Sequence, residues 1–392
     1  MDFYTLSIIA FILFVTIAVW KKRKKLEFQG VLVLYKTKRF LEVIDNIAKK
    51  SPRAWKIIGV IAVMICFYFM LFGIFYLIEN AVKIAKGEIK ESGIKLVLPA
   101  PVKNTEVGYA HIFLPFWIWV LTIFFILFPH EFAHGIMARA ENIRLKSVGL
   151  LLFLIFPGAF VEPDEKQLKR KKLMAKLRVF SAGSFANIVV SFLVFMLATH
   201  LWFFFVDGIY VEKVAENSPA ELAGIKEGML IKNINGKELF FDFGFYSNFV
   251  LTKQNPEDFA ARIYLLGILT NWSFSNYTFK PGESIVIETD KGNFTVVLGE
   301  HPEIEKAPYI GIVVGTKGSG FEFLFKFLAI LSLLSFAVAV VNILPLYPLD
   351  GGHMIKAVLE EKLNEEQAIK ITRIISFTVL FILFYSFFGP LI

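Results

Sequence analysis

The chain alternates between long uncharged apolar runs and shorter charged segments, and this alternation predicts a membrane protein. Six runs without Asp, Glu, Lys or Arg are long enough to cross a hydrocarbon core of about 30 Å, which takes about 20 helical residues. They cover residues 3–20, 57–78, 112–129, 179–206, 327–349 and 374–392. The pattern predicts a polytopic α-helical membrane protein with about six transmembrane helices.

Two segments depart from this pattern. Residues 147–160 are uncharged, but they are too few for a crossing and Pro157-Gly158 interrupts them, which predicts a re-entrant loop or a membrane-dipping hairpin. Residues 207–318 contain Gly, Asn, Asp, Lys and short β-like runs. Two of these runs, SIVIET and FTVVLG, are bounded by KPGE and DKGN and predict a β-hairpin. We expect 207–318 to form a soluble α+β domain inserted between the fourth and fifth spans.

Composition and charge support the membrane assignment and predict an orientation. Charged residues make up only 19% of the 392 residues and hydrophobic ones 56%, whereas about a quarter of a soluble protein is charged. The net charge of +8 does not indicate nucleic-acid binding, because the basic residues gather in loops beside spans: 12 Lys/Arg in 21–56 and 10 in 139–178, against 5 in 81–110. The positive-inside bias therefore predicts a multi-pass cell-membrane protein with 21–56 and 139–178 in the cytoplasm, and with the N-terminus and the inserted domain outside.

The segment FILFPHEFAHG places three ionisable side chains at the end of the uncharged run 112–129. Such groups cost roughly 2.5–3.5 kcal/mol each near the centre of a membrane helix on insertion scales. In the pattern H-E-x-x-H, His130 and His134 project from one helix face and can bind one Zn²⁺, while Glu131 can act as base on a zinc-bound water. The pattern also occurs by chance, but chance leaves three ionisable groups at membrane depth unexplained.

A catalytic zinc needs a third protein ligand and one position open for water. Asp350 is the strongest candidate, because it ends an uncharged run in NILPLYPLDGGH, where Pro345 and Pro348 break or stretch the helix. Two spans running the same way would bring it to a depth similar to that of His130. An Asp that only caps the following helix is the alternative, and His353 is a weaker candidate ligand. The remaining histidines favour surface or interfacial positions: His111, His200 and His301.

Together these motifs resemble those of the site-2 proteases, which are intramembrane zinc metalloproteases. H-E-F-A-H lies in one span and N-x-x-P-x-x-P-L-D-G-G in a later one, and the family's G-x-x-x-N signature is matched by Gly183 and Asn187 in SAGSFAN. The stretch PGAFVEPDE also looks like the family's loop after the zinc-binding helix. The likeness covers about 112–206 and 321–392. The two N-terminal spans look like an addition found in some archaeal members.

The resemblance implies one Zn²⁺ per chain, held by His130, His134 and Asp350, with Glu131 as the general base. It also implies the activity, which is cleavage of the transmembrane segments of membrane proteins (regulated intramembrane proteolysis). The implied partners are transmembrane protein substrates and the lipid bilayer.

Four further positions are carried over as parts of the substrate site: Asn342, Pro345, Gly183 and Asn187. The resemblance implies that Asn342 holds the substrate backbone or the oxyanion, which its amide donor and acceptor suit. A helix–helix hydrogen bond in the bundle is the alternative role for Asn342. For Gly183 with Asn187, the residues alone favour close helix packing with an interhelical hydrogen bond.

Residues 211–239 resemble a PDZ domain of the protease-associated kind. Ser218 is expected to cap a short helix that begins with Pro219 and ends at Gly224, and NING to form a tight turn between strands. PDZ domains bind peptides by strand addition or capture a terminal carboxylate. The domain either binds peptide or protein termini or acts only as a steric filter. The aromatic stretch 240–280 could rest on the membrane surface or cover the core.

The expected division of the chain is an N-terminal two-span extension (1–110), a first half of the protease core (111–206), the PDZ-like domain (207–318) and a second half of the core (319–392). Two other classes of protein remain open: a non-catalytic membrane receptor or adaptor, and a metal-ion transporter. A hydrolase of a non-peptide membrane substrate is a third alternative. Zinc content separates an adaptor from an enzyme, and metal flux in proteoliposomes identifies a transporter.

Overall fold

The structure is a computed structural model that describes most of the chain: residues 3–30, 32–88, 95–101, 106–107, 111–153, 156–238, 280–300, 308–318 and 322–389. The aromatic stretch, except residue 280, and His301 lie outside the described residues. The chain divides into two compact units. The first consists of residues 1–103, 108–194 and 330–392, and the second of 104–107 and 195–329.

The described helices, in chain order, are α1 (Phe3–Lys22), α2 (Lys38–Lys50), α3 (Pro52–Ala85), α4 (Phe116–Ala140), α5 (Glu165–Lys169), α6 (Leu173–Phe205), α7 (Pro219–Leu222), α8 (Glu322–Ile343), α9 (Asp350–Leu359) and α10 (Glu365–Phe388). The described strands are β1 (Glu27–Gln29), β2 (Leu32–Lys36), β3 (Leu96–Ala100), β4 (Glu106–Val107), β5 (His111–Pro115), β6 (Leu145–Phe153), β7 (Phe156–Pro163), β8 (Val206–Val214), β9 (Leu230–Ile234), β10 (Lys237–Glu238), β11 (Ser284–Thr289), β12 (Gly292–Val297), β13 (Gly299–Glu300), β14 (Pro308–Tyr309) and β15 (Ile312–Gly318).

Among the described residues, six helices are long and apolar enough to cross a membrane, which confirms the predicted polytopic helical fold: α1, α3, α4, α6, α8 and α10. Several helix boundaries differ from the ends of the uncharged runs. Residues 111–115 form β5, so α4 begins at Phe116 and continues to Ala140. α8 ends at Ile343, just before Pro345, instead of continuing to residue 349. α10 begins at Glu365, where Asn364 caps it by accepting a hydrogen bond from the N–H of Gln367.

The short uncharged segment 147–160 falls on β6 and β7, which pair as an antiparallel hairpin. That this hairpin dips into the membrane stays a prediction. This hairpin belongs to a four-stranded sheet with the order β1-β2-β6-β7. β2 pairs with β6 over five residues, from Leu32 opposite Phe153 to Lys36 opposite Gly149. β1 and β2 come from 21–56, which the sequence analysis treated only as a basic loop.

The same 21–56 region also contains the amphipathic helix α2. Thr37 caps it by accepting a hydrogen bond from the N–H of Arg39 at 3.2 Å. Its apolar residues recur at helical spacing and pack into the core of the first unit: Phe40, Leu41, Ile44, Ile47 and Ala48. Ile44 is fully buried against residues of α4, β6 and α6. α2 therefore packs against the H-E-x-x-H helix.

A second apolar cluster in the first unit joins α3 to α6, α8 and α9. Its buried members include Cys66 and Met70 from α3, Leu177 from α6 and Ile343 at the end of α8. The N-terminal spans thus pack onto the helices that carry the motifs. α1 contacts the start of α4, where the indole N–H of Trp117 donates to Ser7 Oγ at 2.9 Å.

The second unit contains an antiparallel sheet with the order β12-β11-β9-β8-β15, and β10 pairs with β9. The predicted hairpin is confirmed as β11 and β12. Ser218 caps α7 as expected, accepting a hydrogen bond from the N–H of Glu221 at 3.2 Å. Asn235 and Gly236 form the turn between β9 and β10 with φ of 51° and 74°. The assignment of 207–318 as a PDZ-like domain stays a prediction.

Candidate metal centre

The H-E-x-x-H motif lies inside α4, not at its end. His130 comes about 21 Å along a helix of 25 residues, counted from Phe116. The Nε2 atoms of His130 and His134 are 3.2 Å apart, as residues four apart on one helix face should be. His130 is buried and His134 is half-buried. The uncharged run 112–129 therefore ends inside α4, and the helix continues beyond the motif to Ala140.

Asp350 lies against both histidines, although some 220 residues separate it from them in the chain. Its Oδ2 is 3.4 Å from His130 Nε2 and its Oδ1 is 3.4 Å from His134 Nε2. Four ligands around a tetrahedral zinc at about 2.0–2.1 Å lie about 3.3–3.4 Å from one another. The separations of the three side chains match that spacing. The residues and the geometry therefore fit a zinc ion, and among the described residues they form the one such His/Cys/Asp/Glu group.

An irregular segment, residues 344–349, turns the chain so that Asp350 faces the histidines. Ser376 of α10 holds this segment: its Oγ accepts a hydrogen bond from the N–H of Tyr347 at 2.9 Å. The same Oγ lies 3.0 Å from the carbonyl of Pro345 and 2.8 Å from that of Thr372, and these two carbonyls share its one proton. The next helix, α9, begins at Asp350; Leu349 occupies its N-cap position and makes no side-chain capping bond. A helix cap was the alternative role for Asp350, but among the described residues its carboxylate contacts His130, His134 and Ser184 and no N–H of α9.

Two glycines allow this turn to close. A Cβ on Gly351 would overlap the backbone carbonyl of Ile343, and one on Gly352 would lie 2.5 Å from the backbone nitrogen of Tyr347. Both obstacles are backbone atoms, which cannot rotate away as a side chain can. The glycines of the L-D-G-G motif therefore let α9 start directly against the chain that precedes it.

Gly183 of α6 leaves the space in which the two imidazoles meet. A Cβ at this position would lie 2.7 Å from His130 Nε2 and closer still to His134 Nε2. Any side chain here would occupy the space that a bound ion needs. This is a physical reason for glycine at the position that the sequence analysis selected only by resemblance.

Glu131 points toward the β6–β7 hairpin. Its Oε2 accepts a hydrogen bond from the backbone N–H of Val161 in β7 at 3.1 Å, and the side chain is half-buried. Val161 also packs against the apolar cluster that α2 forms with α4, β6 and α6. The carboxylate is therefore held beside the two histidines but makes no ion pair with them among the described residues.

The other predicted substrate positions lie near the triad to different degrees. Asn187, fully buried in α6, is 3.1 Å from His130 Nδ1 through its amide. Pro345 is buried in the irregular segment. Asn342 is half-buried in the last turn of α8, and among the described residues no hydrogen bond joins its side chain to the triad. Roles in substrate binding stay predictions for all of these.

The remaining described histidines lie elsewhere. His111 is half-buried in β5 beside Phe113, and His200 is exposed in α6. The ring of His353 stacks on Phe180 with centroids 5.0 Å apart and an interplanar angle of 20°. Burial lowers the pKa of His353, which keeps this ring neutral at pH 7. His353 is thus a packing residue and not a third imidazole of the triad.

Two contacts to the triad were missed by the sequence analysis. Ser184 Oγ donates to Asp350 Oδ2 at 2.8 Å, and the carbonyl of Val179 lies 2.7 Å from His134 Nδ1. Ser184 lies next to Gly183 and three residues before Asn187, so helical spacing along SAGSFAN could have predicted that its side chain faces the triad. A backbone carbonyl such as that of Val179 carries no sequence signal.

The six membrane-length helices and the His-His-Asp cluster are compatible with a membrane metalloprotease, and comparisons with known proteins point to this class. The chain is similar to MJ0971 of Methanocaldococcus jannaschii, with 25% identity over 342 residues that cover 86% of this chain and 80% of that protein. It is similar to the zinc metalloprotease RasP of Bacillus licheniformis, with 22% identity over 276 residues, 60% of this chain and 63% of RasP. A membrane-bound transcription factor site-2 protease homolog of Arabidopsis thaliana is 26% identical over 144 residues, 35% of this chain and 28% of that protein.

Peptidase family M50 matches residues 118–386, well over half of the chain, and the chain belongs to this family. The predicted relation to the site-2 proteases is confirmed, and the enzyme is a zinc metalloprotease of the site-2 type. The match spans α4, α6, α8, α9 and α10. Membership of an archaeal type and the PDZ assignment stay predictions.

Proposed function

We propose that the enzyme cleaves the transmembrane segments of membrane proteins at the His130–His134–Asp350 triad, with Glu131 as general base. The main support is the convergence of these three side chains at tetrahedral spacing. Two of them lie on a membrane-length helix, and the third follows another one. Charged groups buried at such depth are costly and typically functional.

The triad would hold one zinc ion per chain through His130 Nε2, His134 Nε2 and the Asp350 carboxylate. When bound, zinc polarises the scissile carbonyl and lowers the pKa of a coordinated water toward about 7. With three protein ligands, a tetrahedral site keeps one position open for water, as catalytic zinc sites require.

Glu131 would take a proton from the attacking water and pass it to the leaving amine. Its position supports this role, because it directly follows a triad histidine on α4 and projects from an adjacent face. The hydrogen bond from the Val161 N–H orients the carboxylate without neutralising it. General acid–base groups of this kind contribute typically 10²–10⁴-fold to a rate.

A transmembrane substrate must unwind before cleavage, because helical amides are shielded and already hydrogen-bonded. β7 is the end strand of its sheet and carries the N–H that meets Glu131, so an extended peptide added along β7 would pass beside the base. The irregular segment 344–349 lies next to Asp350 and would hold the other side of the peptide. Asn342 would stabilise the oxyanion or the substrate backbone, and Pro345 would contact the substrate.

Orientation and the second unit complete the proposal. By the positive-inside bias, 21–56 and 139–178 would lie in the cytoplasm, with the active site toward that side and the N-terminus outside. The antiparallel sheet and the capped α7 of the second unit are compatible with a PDZ-like domain outside the membrane. That domain would either bind peptide termini or limit the size of the substrates that reach the site.

Replacing one carboxylate oxygen of Glu131 by an NH₂ group, in Glu131→Gln, tests this function. Glu131→Gln keeps the size of the side chain and an acceptor for Val161, but it cannot accept a proton. We expect cleavage of a membrane-embedded reporter to fall by roughly 10²–10⁴-fold while zinc per chain stays at the native value. Asp350→Ala is the matched comparison, and it should lose both zinc and activity.

The result can contradict the proposal in two ways. Native cleavage by Glu131→Gln would exclude this residue as the base. Native zinc content in Asp350→Ala would exclude the triad as the metal site.

A further inference from the structure

One face of α6 contacts the outer atoms of all three triad side chains. The Val179 carbonyl lies 2.7 Å from His134 Nδ1, Ser184 Oγ donates to Asp350 Oδ2 at 2.8 Å, and the Asn187 amide lies 3.1 Å from His130 Nδ1. The spacing of these residues, together with Gly183 between them, places them on one side of the helix. Outer partners of this kind orient metal ligands and set which ring nitrogen carries the proton.

The two histidines differ in the kind of partner they have. Each must carry its proton on Nδ1 if Nε2 is to bind a metal. A backbone carbonyl only accepts hydrogen bonds, so Val179 fixes this tautomer of His134. An Asn amide can present either its oxygen or its NH₂ group, and a rotation of the amide by 180° exchanges them. The His130 ring also interacts with the backbone of Gly183, and the Asn187 amide supports one tautomer or the other according to which of its atoms faces Nδ1.

The metal site favours the Asn187 oxygen. With Nδ2 facing the ring, Asn187 Oδ1 is, among the described residues, one of the few buried side-chain atoms without a hydrogen-bond partner. Turning the amide leaves Nδ2 in that place instead, so the choice follows from the nitrogen that zinc needs and not from burial. Turning the amide gives Oδ1 the Nδ1–H of His130 as donor and frees Nε2 for the metal. The opposite orientation would put the His130 proton on Nε2, the atom that faces Asp350.

The backbone around Asn187 is held firmly, as a positioning residue requires. The Asn187 carbonyl accepts a hydrogen bond from Ser335 Oγ at 2.9 Å. One turn further along, Ser191 Oγ donates to the Ser332 carbonyl at 2.7 Å and Ser332 Oγ donates to the Ser191 carbonyl at 3.0 Å. These buried bonds tie α6 to α8 at the height of the triad.

We propose that Asn187 is a positioning residue for His130: its Oδ1 accepts the Nδ1–H of His130 and so presents Nε2 to the zinc ion. This role replaces the substrate contact that resemblance had suggested for Asn187. It rests on the metal site proposed above.

The test measures zinc affinity of the full-length protein in detergent by competition with a chromophoric chelator, together with kcat and KM on a membrane-embedded reporter. Asn187→Asp keeps the shape and the acceptor but removes every donor, so zinc affinity should stay at the native value. Asn187→Leu keeps the volume but removes the acceptor, so zinc affinity should fall roughly 10–100-fold. Thr199→Ala, on the same helix but bonded only to the carbonyls of Phe195 and Met196 among the described residues, is the control and should leave zinc affinity unchanged.

Each outcome decides the matter. A loss of zinc in Asn187→Asp would show that Asn187 acts as a donor and would overturn the proposal, even if Asn187→Leu failed to fold. Native zinc affinity with a raised KM in Asn187→Leu would overturn the positioning role and support the earlier hypothesis that Asn187 contacts the substrate. Native protein that bound zinc no better than Asp350→Ala would overturn the metal site itself, and this inference with it.

Discussion

The triad draws its side chains from two regions that reach the same place by different means. α4 supplies His130 and His134 from consecutive turns of a regular helix, so helical geometry alone brings their Nε2 atoms to 3.2 Å. The segment 344–352 supplies Asp350 from a broken chain, held by Ser376 and by close backbone contacts at its glycines. The first arrangement is local, whereas the second depends on residues from three helices.

This difference predicts how each region tolerates change. Both have a glycine directly after a triad residue: Gly135 follows His134 and Gly351 follows Asp350. A Cβ on Gly135 would meet the flexible end of the Ile44 side chain at 2.9 Å, but one on Gly351 would overlap the Ile343 carbonyl. The two glycines therefore form a matched pair for testing the comparison.

The largest effect is expected for Gly351→Ala. The added methyl cannot be accommodated without moving the backbone on one side of the turn, which displaces the Asp350 carboxylate. A displacement of about 1 Å costs on the order of 10²-fold in rate, and overpacking of this kind typically costs about 1–3 kcal/mol. Reporter cleavage and zinc per chain should both fall. Native cleavage and native zinc content in Gly351→Ala would mean that the backbone of the turn can move to accept the added methyl group, contrary to what its close contacts indicate.

An intermediate effect is expected for Ser376→Ala. The exchange leaves the Tyr347 N–H without its acceptor in a partly buried place, at a cost of about 1–3 kcal/mol. The apparent melting temperature should drop, with a smaller loss of activity than in Gly351→Ala. Thr378→Ala is the control, because this exposed residue bonds only to Ile374 of its own helix. Equal melting temperatures for the two variants would contradict the conclusion that Ser376 stabilises the segment 344–349.

The smallest effect is expected for Gly135→Ala. The contact with Ile44 can relax by rotation of that side chain, and Ala gains about 1 kcal/mol of helix propensity over Gly. The net change in stability should be less than about 1 kcal/mol, with zinc content at the native value. If zinc were lost, α4 would be as tightly constrained as the broken segment, and the contrast between the regions would disappear.

The same contrast explains what could be predicted from the sequence. The spans and the H-E-x-x-H face follow from local periodicity, and both were found, with α4 begun four residues early and α8 ended six residues late. Those errors arose because apolar composition does not distinguish β5 or the proline-containing turn from a helix. The length of 147–160 and its Pro-Gly predicted a re-entrant loop or a membrane-dipping hairpin, and the structure shows the strand pairing of a hairpin.

Long-range partners could not be predicted in the same way. The pairing of β2 with β6 joins segments more than a hundred residues apart, and no local pattern in 27–36 indicates its neighbour. Asp350 was selected as a ligand because it ends an apolar run, but its contact with Ser184 required the fold. The helix α2 was not predicted, because the region 21–56 was interpreted only from its many basic residues. Its apolar residues nevertheless recur at helical spacing: Phe40, Leu41, Ile44, Ile47 and Ala48.

The pairing of β2 with β6 has a consequence for trimmed forms of this enzyme. A protein that started at α3 would keep every motif residue but would expose one edge of β6 and the apolar side of α4 that α2 covers. Bare strand edges are templates for pairing with other chains. We expect such a shortened enzyme to aggregate in the cell, even though its catalytic residues are intact.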